Sequence, residues 1–184
     1  MKNIAIVVDM QKGFLENSDM EELSNKVISL LNQKIFDAVI CTKFVNGQNS
    51  IFENLLQWDK LESEEECQII PEIEKNATVI VEKSIYNCVN ADFIQRLCQV
   101  NGGVYPKQVF LMGVDTDCCV LTIATSLFEN NIRPVVLAEY CGSNGGAQAH
   151  SAGIKCLERL IGKKQIYHGK LSNRKDLDIV KIWA

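Results

Sequence analysis

The sequence predicts an α/β fold in three layers, α/β/α, around a doubly wound, mainly parallel sheet of about six strands. Two observations carry this. Short, near-continuous apolar runs rich in β-branched residues, such as Lys2 to Val8 (KNIAIVV), suit strands buried on both faces. These runs alternate with segments whose apolar residues recur at helical spacing, the pattern of successive β-α units. The 184 residues carry no repeat, linker or low-complexity stretch, so residues 1–184 are expected to form a single domain.

In chain order, the first strand ends at Asp9, and a helix follows from about Met20 to Asn32, with Leu23, Val27, Leu30 and Leu31 on one stripe. Asp37 to Thr42 (DAVICT) is the second strand. Lys43 to Gln57 reads as a long excursion with Gly47 in its middle and Trp58 near its end. The acidic run Glu62 to Cys67 (ESEEEC) reads as a solvated loop. Thr78 to Glu82 is the third strand, ending at Lys83, and Asn90 to Val100 is a helix stopped by Asn101-Gly102-Gly103. Val109 to Met112 is the fourth strand, bounded by Gly113, with a helix starting near Thr116. Pro134 to Ala138 is the fifth, followed by a loop from Glu139 to Gly146 and a helix from Ala147 to Ile161. Gln165 to His168 is a short sixth strand, and the tail from Ser172 is a final turn or helix.

Composition bounds the function classes. A hydrophobic share of 47% and a charged share of 23% are those of an ordinary globular protein. A net charge of −4 and no basic stripe argue against nucleic acid as a partner. No apolar run approaches membrane-spanning length, and Asp9 interrupts the first one too early for a signal peptide, so a cytosolic protein without a membrane partner is expected. The eight cysteines show no C-x-x-C spacing; most are expected to be small buried hydrophobes in a reducing compartment.

The chemistry is expected in Lys107 to Asn130. At its strand–helix junction sit Asp115, Thr116, Asp117, Cys118 and Cys119. Thr116 or Asp117 can cap the helix, and a cysteine in the first turn has its thiolate favoured by the positive end of the helix dipole. Asp9 follows strand one, Lys83 strand three and Cys119 strand four. In a parallel sheet these ends share one edge, where ligands bind at the switch point of strand order, so the three converge. A carboxylate can take the thiol proton, an ammonium favours the thiolate, and the thiolate can attack a carbonyl carbon while backbone N–H groups hold the oxyanion.

The order D-x-Q-x-x-F (Asp9, Gln11, Phe14), Glu82-Lys83 after a strand, then G-V-x-T-D-x-C-V (Gly113 to Val120) resembles the isochorismatase-like cysteine hydrolases. That superfamily, with a Rossmann-like fold, includes nicotinamidases and N-carbamoylsarcosine amidase. The resemblance implies a hydrolase cleaving an amide or ureido C–N bond of a small molecule. Asp9 would be the general base, Cys119 the nucleophile and Lys83 the third member of the triad. It also implies a cis peptide between Val114 and Asp115, an oxyanion hole from the amides of Asp115 and Cys119, and a homo-oligomer, dimer or tetramer. Two departures matter. Nicotinamidases carry Asp and His metal ligands after strand two, whereas TKFVNGQNSIF here holds neither, so no metal or other cofactor is expected. Isochorismatases proper lack the cysteine, and Cys119 favours amide over vinyl-ether hydrolysis.

Plainer uses remain for the same residues. Asp9 can cap a loop and Lys83 can be solvated, although both in register with the cysteine motif point to a site. Phe14 and Tyr86 line the substrate pocket or pack in the core. His150, in a helical pattern, and His168 read as structural or surface residues. Ser143-Asn144-Gly145-Gly146 can touch a phosphate but lacks the dinucleotide fingerprint. A different class of function, ligand binding or redox sensing, would use Cys118 and Cys119 as a responsive pair.

Overall fold

Alternation along strand β1 (Ile4–Val8) sends Ile4, Ile6 and Val8 to one face of the sheet and Ala5 and Val7 to the other, and both sets are buried. The computed structural model describes residues 2–182. It contains six strands, all parallel, in the order β3-β2-β1-β4-β5-β6. The others are β2 (Ala38–Phe44), β3 (Val79–Lys83), β4 (Gln108–Gly113), β5 (Arg133–Cys141) and β6 (Ile166–Tyr167). The order reverses beside β1, whose neighbours are β2 and β4, and that is where such sheets leave a crevice beyond the strand ends.

One face packs against α5 (Ala91–Val100), α6 (Leu121–Glu129) and α7 (Gly146–Leu160), through Phe93, Leu97, Ile123, Leu127, Ile154 and Leu157. The opposite face packs against α1 (Ser18–Asn32), α4 (Pro71–Glu74) and α8 (Arg174–Ile182), through Leu23, Val27, Leu30, Ile73 and Leu177. This is the three-layer architecture expected. Asn17 caps α1 and Asn90 caps α5 by accepting a backbone N–H three residues on, which places both starts near the predicted ones.

Three expectations change. The excursion after β2 carries a helix, α2 (Ile51–Leu56), capped by Ser50. The acidic run is not a loop: Glu64–Cys67 forms the short helix α3, because Ser63 and Glu66 make a reciprocal capping box and acidic side chains suit a helix N-terminus. The loop expected from Glu139 begins later, since β5 continues to Cys141 through a register shift against β4 that pairs Gly113 with Cys141. Gly113 is required there. Its φ is +120°, and a Cβ on it would stand 2.1 Å from the carbonyl oxygen of Val8.

Five cysteines, at 41, 67, 88, 119 and 141, are buried, and none of the eight is in a disulfide. Among the described residues no helix is long and apolar enough to cross a membrane.

Candidate active site

Asp9 leaves β1 with a left-handed φ of 50°, a conformation that Asp tolerates better than most residues. The turn aims its fully buried side chain back over the sheet edge. Thr42 fixes it from both sides. The Asp9 N–H donates to Thr42 Oγ1 at 3.1 Å, and the Thr42 hydroxyl donates to Asp9 Oδ1 at 2.6 Å. Oδ2 faces the ammonium of Lys83 at 2.7 Å and accepts no other bond among the described residues.

Lys83 closes β3, beside Phe44 at the end of β2. Its three N–H bonds are matched by three acceptors: Asp9 Oδ2, the Ile85 carbonyl oxygen at 3.1 Å and Cys119 Sγ at 3.2 Å. The ammonium also lies 4.8 Å from the centre of the Phe44 ring. Burial alone lowers its pKa, but the carboxylate of Asp9 opposes burial and the pKa of Lys83 lies above the ordinary value.

Cys119 is four-hundredths exposed, on a π-helical turn, Thr116–Val120, that leads into α6. The turn is pinned at its start. The Cys118 and Val120 amides both donate to the Asp115 carbonyl, at 3.1 and 3.0 Å. The Val114–Asp115 peptide is cis, as the resemblance implied. Neither Thr116 nor Asp117 caps the helix. The Thr116 hydroxyl donates to the Gly142 carbonyl at 2.9 Å and lies 2.8 Å from His150 Nδ1, tying the turn to α7. Gly153 of α7 packs so tightly on this turn that a Cβ there would be 2.8 Å from Asp117 Cα. His150 therefore serves the scaffold rather than a Cys–His dyad, and His168 is exposed.

The charge state of the thiol differs from the sequence expectation. Burial, then the negative charge of Asp9, push the Cys119 thiol far above its ordinary range, and Lys83 only partly opposes them. A helix terminus and a cation do not make a thiolate here; the resting group is a neutral thiol beside an Asp–Lys ion pair. Cys118, half-buried, is also raised, to about 11, by burial and by Asp117 and Asp115.

A cavity of about 610 Å³ opens above Cys119. Phe14 and Tyr86 line it, as do Trp58 of the excursion and three residues not singled out from the sequence, Phe44, Phe52 and Leu56. Trp58 stacks on Phe14 with ring centres 6.0 Å apart, and Phe52 meets Tyr86 edge-on at 5.0 Å. This wall is held by Gln11, fully buried, whose amide nitrogen donates to the Phe44 and Cys67 carbonyls at 2.7 and 2.9 Å while its oxygen accepts the Phe44 N–H at 2.7 Å. Gln11 stands in the motif that began at Asp9, and that position was the only sequence signal for it. Asn144 does not face a phosphate: its backbone N–H and its amide both donate to Asp115 Oδ1, each at 2.9 Å.

The family model of the isochorismatase domain matches residues 3–164. The chain belongs to the isochorismatase family. Solved structures of the same fold include a nicotinamidase from Bacillus subtilis, 18% identical with a TM-score of 0.73, covering 91% of this chain and 100% of its own. An isochorismatase-like hydrolase from Alkaliphilus metalliredigens is 18% identical at a TM-score of 0.69, covering 100% of both chains. The N-carbamoylsarcosine amidase of Thermoplasma acidophilum is 20% identical at a TM-score of 0.65, covering 88% of this chain and 94% of that one. No curated protein matches the sequence. Residues 42–52, at and after the end of β2, hold no Asp or His. After β2 stands Asn46, whose amide nitrogen donates to the Trp58 and Lys60 carbonyls at 3.2 and 3.1 Å while its buried oxygen has no partner among the described residues. Among the described residues no group of three or more His, Cys, Asp or Glu side chains is placed to hold an ion.

Proposed function

We propose that this protein is a cysteine amidohydrolase acting on a small amide or ureido compound. The observation that carries the reading is the joining of Asp9, Lys83 and Cys119 from three strand ends, with Cys119 lining a substrate-sized cavity and the Asp9–Lys83 pair buried behind it. Asp9 takes the proton from Sγ as the sulfur adds to the carbonyl carbon, so the thiolate need exist only as the bond forms. Lys83, already bonded to Sγ, steadies the sulfur's charge during transfer. The oxyanion of the tetrahedral adduct takes hydrogen bonds from the amides of Asp115 and Cys119. When the C–N bond breaks, protonated Asp9 gives its proton to the departing ammonia or amine, leaving a thioester on Cys119. Asp9 then takes a proton from water, hydroxide adds to the thioester carbonyl, and the acid leaves as the thiol is restored.

A sensing role for Cys118 and Cys119 fits less well, because both thiols are raised rather than lowered, and oxidation follows thiolate character. The test is ammonia release across a panel of small amides. Cys119→Ala should abolish it, and Asp9→Asn should lower kcat by about 10²- to 10⁴-fold, the usual worth of a positioned base. Full turnover by Cys119→Ala would end the proposal.

A further inference from the structure

Three charged side chains line the cavity among the described residues: Glu16, Lys60 and Asp115. Glu16 and Lys60 are ion-paired with each other at the rim. Behind the cavity wall Asp9 and Lys83 neutralise each other, and Cys119 is a neutral thiol. Among the described residues Asp115 is therefore the one charge lining the cavity without a counter-ion. Only its Oδ1 is committed, to the two donors of Asn144; Oδ2 has no partner among the described residues. The same cavity is lined by the aromatic side chains of Tyr86, Phe14 and Trp58, a residue type that attracts cations rather than anions at its ring face.

We propose that Asp115 selects the substrate, taking a compact cationic group, an ammonium or amidinium, on the acyl part of the amide, and that the site turns away carboxylate-bearing amides. The inference deepens the amidohydrolase reading and rests on it. Burial raises the Asp115 pKa against the opposing bonds from Asn144, so its anion is under-solvated and a cationic donor relieves it. A carboxylate-bearing ureido acid would meet the opposite field: its charge would enter beside Asp115, with Lys60 and Lys83 both already engaged.

The test separates the pocket's charge preference from turnover. Methanethiosulfonate reagents of similar size, one bearing trimethylammonium and one sulfonate, are reacted with the intact protein. Modification at Cys118 and Cys119 is followed by mass spectrometry, with exposed Cys156 as internal reference. The cation-to-anion rate ratio in the cavity should exceed that at Cys156 by about ten-fold or more, since opposite charges a few ångströms apart under partial screening are worth at least that. Asp115→Asn should bring the ratio back to the Cys156 value. Equal ratios in the cavity and at Cys156 in the unaltered protein overturn the proposal, whether or not the variant folds. In parallel, trimethylammonioacetamide should be hydrolysed with kcat/KM about ten-fold above its neutral isostere 3,3-dimethylbutanamide. Equal or faster hydrolysis of the neutral amide overturns the selectivity and leaves the hydrolase reading standing. Charge-selective labelling with no amide hydrolysed overturns the hydrolase reading and, with it, any role of Asp115 in choosing a substrate.

Discussion

Lys83→Met should destabilise the protein by about 3–5 kcal/mol, far more than the loss of a surface ion pair. The side chains of Asp9 and Lys83 are 0% and 3% exposed, and their charges stand 2.7 Å apart. At an effective dielectric of about 20 that separation corresponds to a gross attraction of about 6 kcal/mol. Desolvation of the two ions cancels much of it, so the pair as a whole adds little net stability. Removing the lysine alone is another matter. It strands a carboxylate whose remaining donors are the hydroxyl of Thr42 at 2.6 Å and whatever water can enter, and it leaves the Ile85 carbonyl unbonded. Methionine keeps most of the volume over the Phe44 ring, so cavity formation contributes little. Urea unfolding of the wild type, Lys83→Met, Asp9→Asn and the double variant closes a cycle, and the double variant should be at least about 2 kcal/mol more stable than the sum of the singles predicts. A Lys83→Met protein within about 1 kcal/mol of wild type, or an additive cycle, would refute the claim that the pair is sealed from solvent.

The other expectations follow from single contacts. Cys119, with its raised pKa, should react with iodoacetamide at pH 7 more slowly than exposed Cys156, and Asp9→Asn should speed its labelling while slowing turnover; rapid selective labelling of Cys119 at pH 6 would contradict the neutral-thiol assignment. Cys41, Cys88 and Cys141 are raised to about 12, and thiols whose folded pKa lies above the unfolded value of about 8.5 contribute stability that is complete below the latter and is lost as pH rises towards the former. Unfolding free energy measured by urea should therefore fall from pH 8.5 to 10, and a flat profile would show these thiols to be solvated. Gly113→Ala should cost about 3 kcal/mol or more, because its Cβ would lie 2.1 Å from the Val8 oxygen at a φ of +120°; a thermal midpoint within 2 °C of wild type would count against the packing described. Gln11→Leu should cost about 3 kcal/mol by stranding three buried backbone groups at Phe44 and Cys67, and should raise KM more than it lowers kcat, since it loosens a cavity wall rather than the reacting groups.

The strands and the convergence of Asp9, Lys83 and Cys119 were legible because a parallel sheet leaves little freedom. Buried strands read as apolar runs, and the residue after each run falls on one edge whatever the loops do. The wall of the cavity was not legible for the complementary reason. Phe52, Leu56 and Trp58 lie on the excursion after β2, whose position is set by Gln11 and Asn46 bonding to backbone carbonyls up to 56 residues away, and no local periodicity encodes that. Glu62 to Cys67 misled in form and not in exposure: residues 62–65 are exposed, but Ser63 and Glu66 at capping-box spacing made the run a helical turn, and that spacing was present in the sequence. Thr116 misled because a cap needs a free backbone N–H within reach, whereas its hydroxyl had a carbonyl at Gly142 to serve.

The protonation of the thiol was the least accessible feature, and it bears most on mechanism. One-letter code shows a cysteine, an aspartate, a lysine and a helix start; the lysine and the helix start favour a thiolate, and the aspartate opposes it. Burial reverses the sum, because a third charge in a sealed pocket that already holds an ion pair has no solvent to support it. Under the proposed mechanism this arrangement has a use. Asp9 retains its charge, and so its capacity to accept a proton, only if Cys119 does not ionise first. During attack the negative charge leaves Asp9 as it arrives on the substrate oxygen, so the net charge of the sealed site is unchanged while Lys83 stays within reach of both donors of that charge. With a resting thiolate the charge would pass from sulfur to oxygen instead, and Asp9 would have no thiol proton to take. Lys83 is then less an activator of the thiol than the buried cation paired with Asp9 when a carbonyl carbon arrives.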